Sequence, residues 1–234
     1  MSRKARYFGI SRRTRVTLFI VLLALAIVLR CFFGTPKYQV SLSEIPEYSG
    51  KAYAVINGNV PFFEVDYDIE EYESYDELDI YGRAVGAIAC LGVGTMPKDD
   101  EVREDISKVK PTAWHTAKYD IVEGEYLYNR SHLIGWQLSA ENDNPKNLIT
   151  GTRYFNTEGM LPFENAVKDY ILKYGGRVLY RVTPIYNKNE LLARGVLIEA
   201  KSLDGDGLQF CVFVYNVQPG ISIDYLDGES RLLK

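Results

Sequence analysis

Histidine is almost absent: His115 and His132 are the only two in 234 residues. Any imidazole chemistry therefore rests on one of these two side chains. Cysteine is as scarce, with Cys31, Cys90 and Cys211 far apart in the chain. No CxxC pair and no cysteine–histidine cluster occurs, which argues against a structural zinc site. Cys90 and Cys211 each lie in an apolar strand-like run; they could pair in an exported domain or remain buried thiols. The glycine-rich stretch Arg83 to Gly94 lacks a Gly-Lys-Ser/Thr ending, so it reads as a core strand and not as a phosphate loop. No Gly-x-Ser-x-Gly elbow supports a serine hydrolase built on Ser131 or Ser139. No pair of carboxylates stands out as a glycosidase would require, and no internal repeat or low-complexity tract is present.

Positive charge is short as well, outside one place. Seven basic and no acidic residues fall within residues 1–33, which leaves 20 basic against 31 acidic residues, a net charge of −11, in the rest. That balance suits a nucleic-acid-coating protein poorly, because backbone affinity comes from neutralising phosphates. It is compatible with an enzyme that needs cations only in its cleft. The basic start includes Arg3, Lys4, Arg6, Arg12, Arg13 and Arg15, and an uncharged apolar run extends from Val16 to Leu29. Prolonged to Phe33 past Arg30, it is long enough to cross a bilayer with snorkelling. The flanking charge keeps residues 1–15 cytoplasmic and sends the remainder of the chain across the membrane. A cleaved signal peptide is the competing reading, but Leu29-Arg30-Cys31-Phe32-Phe33 offers no small-x-small site. The expected layout is a basic tail at 1–15, a transmembrane anchor at 16–33, a linker at 34–50 containing Pro36 and Pro46, and one domain at 51–234 outside the membrane.

What the chain does have is apolar and aromatic content: 47% hydrophobic, 13% aromatic, with eighteen tyrosines. That composition can bury a core and favours β structure. Ala52 to Val60 reads as a strand ending at an Asn-Gly turn. Glu64 to Asp79 carries nine acidic and no basic residues, and reads as a solvated face because no turn glycine organises it as a calcium loop. His115 sits beside Trp114 in a strand-like run, where a packing or hydrogen-bonding role is expected. Tyr126 to Tyr128 begins a short strand, SAENDNPKN is a loop, and Asn147 to Ile149 returns as a second strand. Met160, Phe163, Val167, Ile171 and Tyr174 recur at helical spacing over Asn156 to Tyr174, with Pro162 as a kink or second start and Gly175-Gly176 as the stop. Strands at Arg177 to Tyr186, Ala193 to Ser202 and Leu208 to Val217 then form an antiparallel meander through an Asp-Gly-Asp-Gly hairpin, and Pro219-Gly220 leads into an exposed tail.

The stretch Tyr128 to Glu164 holds the chemistry: YNRSHLIGWQLSAENDNPKNLITGTRYFNTEGMLPFE. Asn129-Arg130-Ser131-His132-Leu133 resembles the Asp-Arg-Gly-His motif of the DNA/RNA non-specific endonucleases, in the Asn-Arg-Ser-His variant of streptococcal-type secreted DNases. NLITGTRYFN comes next as in that family, and an acidic residue, Glu164, stands eight positions after Asn156. The resemblance covers roughly Val55 to Tyr225 and is strongest from Lys110 to Tyr186. It departs at Asn129, where many relatives have aspartate.

The resemblance implies an α+β fold: an antiparallel β-sheet core carrying a ββα-metal (His-Me finger) motif. It implies phosphodiester hydrolysis of DNA, and of RNA as a further substrate. His132 is the expected general base, since a neutral imidazole is available near pH 7. Asn156 is the expected metal ligand for Mg2+, with Mn2+ or Ca2+ as alternatives; magnesium takes few protein ligands and keeps its waters. Glu164 would hold water of the ion's hydration shell. On an ideal helix eight residues subtend about 80° net, so Asn156 and Glu164 can face one cleft. Arg130 and Arg153 are candidates for phosphate contacts, while Asn147 and Asn129 are expected to bind substrate or orient the loop. The alternative function is a catalytically weak surface domain of the same fold that binds nucleic acid or a cell-surface partner.

Overall fold

The computed structural model describes residues 40–64, 69–205 and 207–233. The expected anchor at 16–33, with Cys31, lies outside them; among the described residues no helix is long and apolar enough to cross a membrane. In chain order come β1 (Tyr53–Val55), β2 (Tyr72–Tyr75) and β3 (Ala87–Leu91). An irregular stretch then runs to β4 (Tyr128–His132), α1 (Trp136–Ser139), β5 (Leu148–Thr152) and α2 (Leu161–Tyr174). The chain closes with β6 (Val178–Ile185), β7 (Gly195–Ser202), β8 (Gln209–Tyr215), β9 (Ile221–Ile223) and β10 (Ser230–Leu232).

Six strands form one antiparallel sheet in the order β1-β8-β7-β6-β3-β2. Side chains alternate across a strand, so a strand that is apolar at every position must be covered on both faces. Val178, Tyr180 and Val182, Val196, Ile198 and Ala200, and Phe210, Val212 and Val214 share one core with Phe155, Val167 and Ile171. The alternate residues Leu197, Cys211, Phe213 and Tyr215 enter a second core with Val40, Ile56 and Ile185. One charged pair interrupts it. Glu199, fully buried, faces Arg181 across β6 and β7 at 2.6 Å and also accepts the Phe62 N–H at 2.7 Å. A carboxylate in that position is tolerable only with such partners.

Of the two readings of Cys90 and Cys211, buried thiols are what the structure shows: they are free, in different cores, with β6 and β7 between their strands. Other expectations change here. The segment 34–50 is not linker throughout: Val40 is buried, Leu42 and Ile45 pack on the second core, and the Pro46 carbonyl accepts the Tyr215 hydroxyl at 2.6 Å. The compact unit therefore begins at Val40 and not at residue 51. Beyond Pro219-Gly220 the chain is no exposed tail, since β9 pairs with β10 and Ile221 is buried.

The helical segment also differs in detail. Phe155–Met160 is a π-helix, and the Leu161 N–H donates to the Asn156 carbonyl at its end. Pro162 explains the change of winding. It has no N–H for the turn before it, and its ring would collide with the carbonyl four residues back. The wider turn relieves that, and the proline then opens α2 at its first turn. Gly175 closes α2 in the left-handed region at φ 63°, its N–H on the Ile171 carbonyl at 2.8 Å.

Candidate active site

The β4–β5 ribbon stands apart from the six-stranded sheet and is clamped to the segment after β8, where the Thr152 hydroxyl donates to the Val217 carbonyl at 2.6 Å and the Asn216 side chain makes three further bonds. Asn216, just after β8, is fully buried; its Oδ1 accepts from the Thr152 N–H at 2.9 Å, and its Nδ2 donates to the Thr150 and Ala193 carbonyls, both at 3.0 Å. The ribbon register pairs His132 with Leu148, and the Leu133 N–H continues the ladder onto the Asn147 carbonyl at 2.8 Å. Ribbon, α1, α2 and the irregular stretch enclose a cleft of about 990 Å³.

His132 lines that cleft from the end of β4 and is only 6% exposed. Its Nε2 lies 2.8 Å from the Asn142 carbonyl oxygen. A carbonyl only accepts, so Nε2 carries the hydrogen and Nδ1 keeps its lone pair. Burial holds the imidazole down to about 4, against a smaller upward pull from the Asn142 carbonyl and a further downward push from Arg103. At neutral pH the ring is an uncharged proton acceptor with a fixed tautomer.

Asn156 opens the helical segment and lines the same cleft. Glu164 reaches it from the first turn of α2. Burial pushes its carboxyl up to about 7, with Gln137 and then Arg103 opposing. Gly135 makes this approach possible: a Cβ there would lie 2.6 Å from the Glu164 Oε2. Asn129 and Arg153 also line the cleft, and each carries a buried nitrogen without a hydrogen-bond partner, Nδ2 of Asn129 and Nε of Arg153. Arg153 is partly engaged by Glu123 at 3.3 Å. Arg130 faces the cleft but is largely committed to the protein: it donates to the Val109 and Ser107 carbonyls and stacks 3.9 Å over Trp114. Its guanidinium fastens the wall of the cleft.

The structure brings His132, Asn156, Glu164, Asn129, Arg130 and Arg153 to one cleft and leaves Asn147 out. Asn147 is fully buried; its Oδ1 accepts the Ile134 N–H at 2.9 Å and its Nδ2 donates to the Ile134 carbonyl at 3.1 Å. Both ends of the amide pin the loop after His132, so of its two expected roles Asn147 takes that of orienting the loop, and it does not line the cleft to bind substrate. His115 lines the cleft outside any strand, with Nε2 on the Asp227 carbonyl at 2.7 Å, a hydrogen-bonding role. Sequence reasoning missed Arg103, which lines the cleft and acts on both His132 and Glu164. Its one signal was a lone arginine among Asp99, Asp100, Glu101, Glu104 and Asp105. Gly135 and Gln137 were also missed.

The donor set suits a hard divalent cation. Asn156 lines the cleft with an amide, together with the Glu164 carboxyl group and the His132 imidazole. Among the described residues no cluster of three or more histidine, cysteine, aspartate or glutamate side chains could cage a metal. An ion here would keep most of its hydration, as magnesium does.

A fold with a six-stranded antiparallel sheet, and a ribbon and helix bearing this cleft, defines a nuclease class by comparison with known proteins. The DNA/RNA non-specific endonuclease family matches residues 63–204, and the chain belongs to it. A deoxyribonuclease of Streptococcus dysgalactiae subsp. equisimilis is 37% identical over 108 residues, 44% of this chain and 32% of that protein. The chain thus spans about a third of the length of that curated relative. NucA from Streptococcus agalactiae, solved with magnesium bound, superposes with a TM-score of 0.72 at 26% identity, covering 82% of this chain and 94% of NucA. The Sda1 nuclease, solved with zinc bound, gives a TM-score of 0.66 at 27% identity over 79% of this chain and 97% of Sda1.

Proposed function

We propose that the chain is a divalent-cation-dependent endonuclease of the ββα-metal type that hydrolyses phosphodiester bonds of DNA, and of RNA as a second substrate. The observation that carries this reading is His132, neutral and held by the Asn142 carbonyl through Nε2, with its Nδ1 lone pair free in the cleft of Asn156 and Glu164. Water attacks a phosphodiester poorly because it is a weak nucleophile and the phosphate repels it. His132 Nδ1 takes the proton from the attacking water; general-base help of this kind is worth about 10²–10⁴-fold. Asn129 and Arg153 offer donors to the phosphoryl oxygens, and Arg103 adds positive charge beside both titrating groups. Asn156 would hold the cation, with Mg2+ preferred and Mn2+ or Ca2+ as alternatives, and Glu164 would bind its hydration shell. Bound there, the ion supplies Lewis-acid stabilisation of charge on phosphate and leaving oxygen.

A plasmid-nicking assay with and without EDTA tests the reading. Nicking should require added magnesium, His132→Ala should lower the rate by about 10²–10⁴-fold with the fold intact, and His115→Ala should cost far less. Normal cleavage by His132→Ala would sink the mechanism.

We further propose that residues 16–33 anchor the protein in a membrane with the nuclease domain outside, on the strength of the basic start and apolar run. A reporter fused after Lys234 should be active only on the outer side, and the full-length protein should sediment with membranes. Recovery of the bulk as a soluble, processed form would favour a signal peptide.

A further inference from the structure

Tyr180 is the third residue of β6, fully buried, and its hydroxyl has no hydrogen-bond partner among the described residues. Its cross-strand neighbours are Ala89 on β3 and Ala200 on β7. Two alanines leave a slot in the sheet that an aromatic ring fills, on the face that packs against α2. Phenylalanine would fill the same slot without bringing a polar atom into it. Buried hydroxyls nearly always find partners, because an orphan forfeits its hydration for nothing. The hydroxyl therefore needs an explanation beyond packing. Glu164 precedes Val167 and Ile171 by three and seven residues on α2, so it lies on the side of the helix whose residues share the core of Tyr180, and it carries the function proposed above.

Resting on that reading, we infer that Tyr180 is a positioning residue whose hydroxyl donates to the Glu164 carboxylate when a divalent cation occupies the cleft. A charged carboxylate takes several hydrogen bonds, and those to a charged acceptor are the strong ones. Gln137 lies on the α1 side, where its Nε2 donates to the Asn165 Oδ1 at 3.1 Å and its amide draws the Glu164 carboxyl down. Tyr180 supplies the donor from beneath. The terminal torsion of a glutamate is broad, so the carboxylate can turn toward it. Burial raises the Tyr180 hydroxyl far above its usual range, so it stays a donor at every working pH. Outer partners of this kind fix the groups around a cation and typically govern affinity or activity by about 10–100-fold.

The experiment compares full-length wild type with Tyr180→Phe, Glu164→Gln and the double variant. It reads Mn2+ binding by the EPR signal of the free ion, melting temperature without metal, and plasmid nicking against magnesium concentration. Tyr180→Phe should melt at or above wild type, because an orphan hydroxyl is removed. It should bind Mn2+ about tenfold more weakly and nick about tenfold more slowly. In the Glu164→Gln background it should add no further loss, since the partner is already gone. Wild-type Mn2+ binding and nicking by Tyr180→Phe would overturn the inference. So would a multiplicative loss in the double variant, or a melting temperature several degrees below wild type. If Glu164→Gln itself binds Mn2+ and nicks as wild type does, the role proposed for Glu164 fails too, while loss of nicking on EDTA and in His132→Ala still tests the endonuclease function separately; if Glu164→Gln alone shows a loss, only the role of Tyr180 fails.

Discussion

Gly135 occupies the one place where a methyl group would meet the Glu164 carboxylate, with Oε2 at 2.6 Å and Oε1 at 3.0 Å. Its backbone, at φ −60°, suits any residue, so nothing in its conformation demands glycine. The obstacle to Gly135→Ala is the far end of a flexible side chain, which can swing away. The variant should therefore melt close to wild type and yet lose about 10–100-fold in nicking rate, the range for displaced outer partners of a metal site. A melting scan beside a rate measurement checks this, and a large drop in melting temperature with intact activity would contradict it. His132 and Glu164 also pull stability in opposite directions. His132 is held down to about 4 from 6.5, so its contribution is complete above pH 6.5 and is lost as pH falls toward 4. Glu164 is held up to about 7 from 4.5, so its contribution is complete below pH 4.5 and is lost as pH rises through 7. The two slopes oppose each other between these limits. Relative to wild type, the melting temperature of Glu164→Gln should climb from pH 4.5 to 7, and that of His132→Gln should fall from pH 4 to 6.5. Parallel curves for all three proteins would show that neither group titrates as its surroundings dictate.

At the scale of the elements, Asn216 makes two of the hydrogen bonds that join the ribbon to the end of the sheet, and a third to the Ala193 carbonyl. Asn216→Ala leaves the Thr152 N–H and the Thr150 and Ala193 carbonyls without that partner in a dry interior. Each orphaned group costs about 1–3 kcal/mol, so a loss of at least about 3 kcal/mol is expected in urea unfolding. Nicking should fall with it, because the ribbon carries His132. The long strands were legible because apolar residues fill both faces of β6, β7 and β8 and an Asp-Gly pair marks their hairpin. His132, Asn156 and Glu164 were legible because the Asn-Arg-Ser-His run and the acidic residue eight positions after Asn156 resemble the endonuclease motif; spacing by itself relates only Asn156 to Glu164. Arg103 was not: it reaches the cleft from an irregular stretch whose path depends on tertiary contacts that no periodicity encodes. Asn147 stayed open between two roles because a polar residue beside a motif looks the same whether its amide faces substrate or clamps a backbone. The three-residue strands β9 and β10 are too short to show a period. Pro162 announced a break in the helix, but its sequence position cannot distinguish a kink from the wider turn that forms.

Over the whole molecule, charge is divided by location. The chain beyond residue 33 carries a net charge of −11, yet Arg103, Lys110, Arg130 and Arg153 all line one cleft. Attraction to nucleic acid should then come from a few local contacts and not from the surface at large. For duplex DNA the logarithm of affinity falls with the logarithm of salt by about 0.9 for each phosphate neutralised. Arg153→Ala should lower that slope by about 1 in a titration of binding against NaCl. An unchanged slope would remove Arg153 from the phosphate contacts. The order of synthesis bears on the same assembly. β1 finds its partner only at the far end of the chain, with Tyr53 opposite Val214, and the ribbon is fastened by Asn216 two residues later. A ribosome that has reached residue 170 has already made every group in the cleft, from Arg103 to Glu164, and none of the clamp that holds the ribbon in place. Every side chain lining the cleft is thus present in the nascent polypeptide long before the ribbon is fastened. On the proposed mechanism, the last turns of translation, rather than the appearance of His132, set when the chain could first cut.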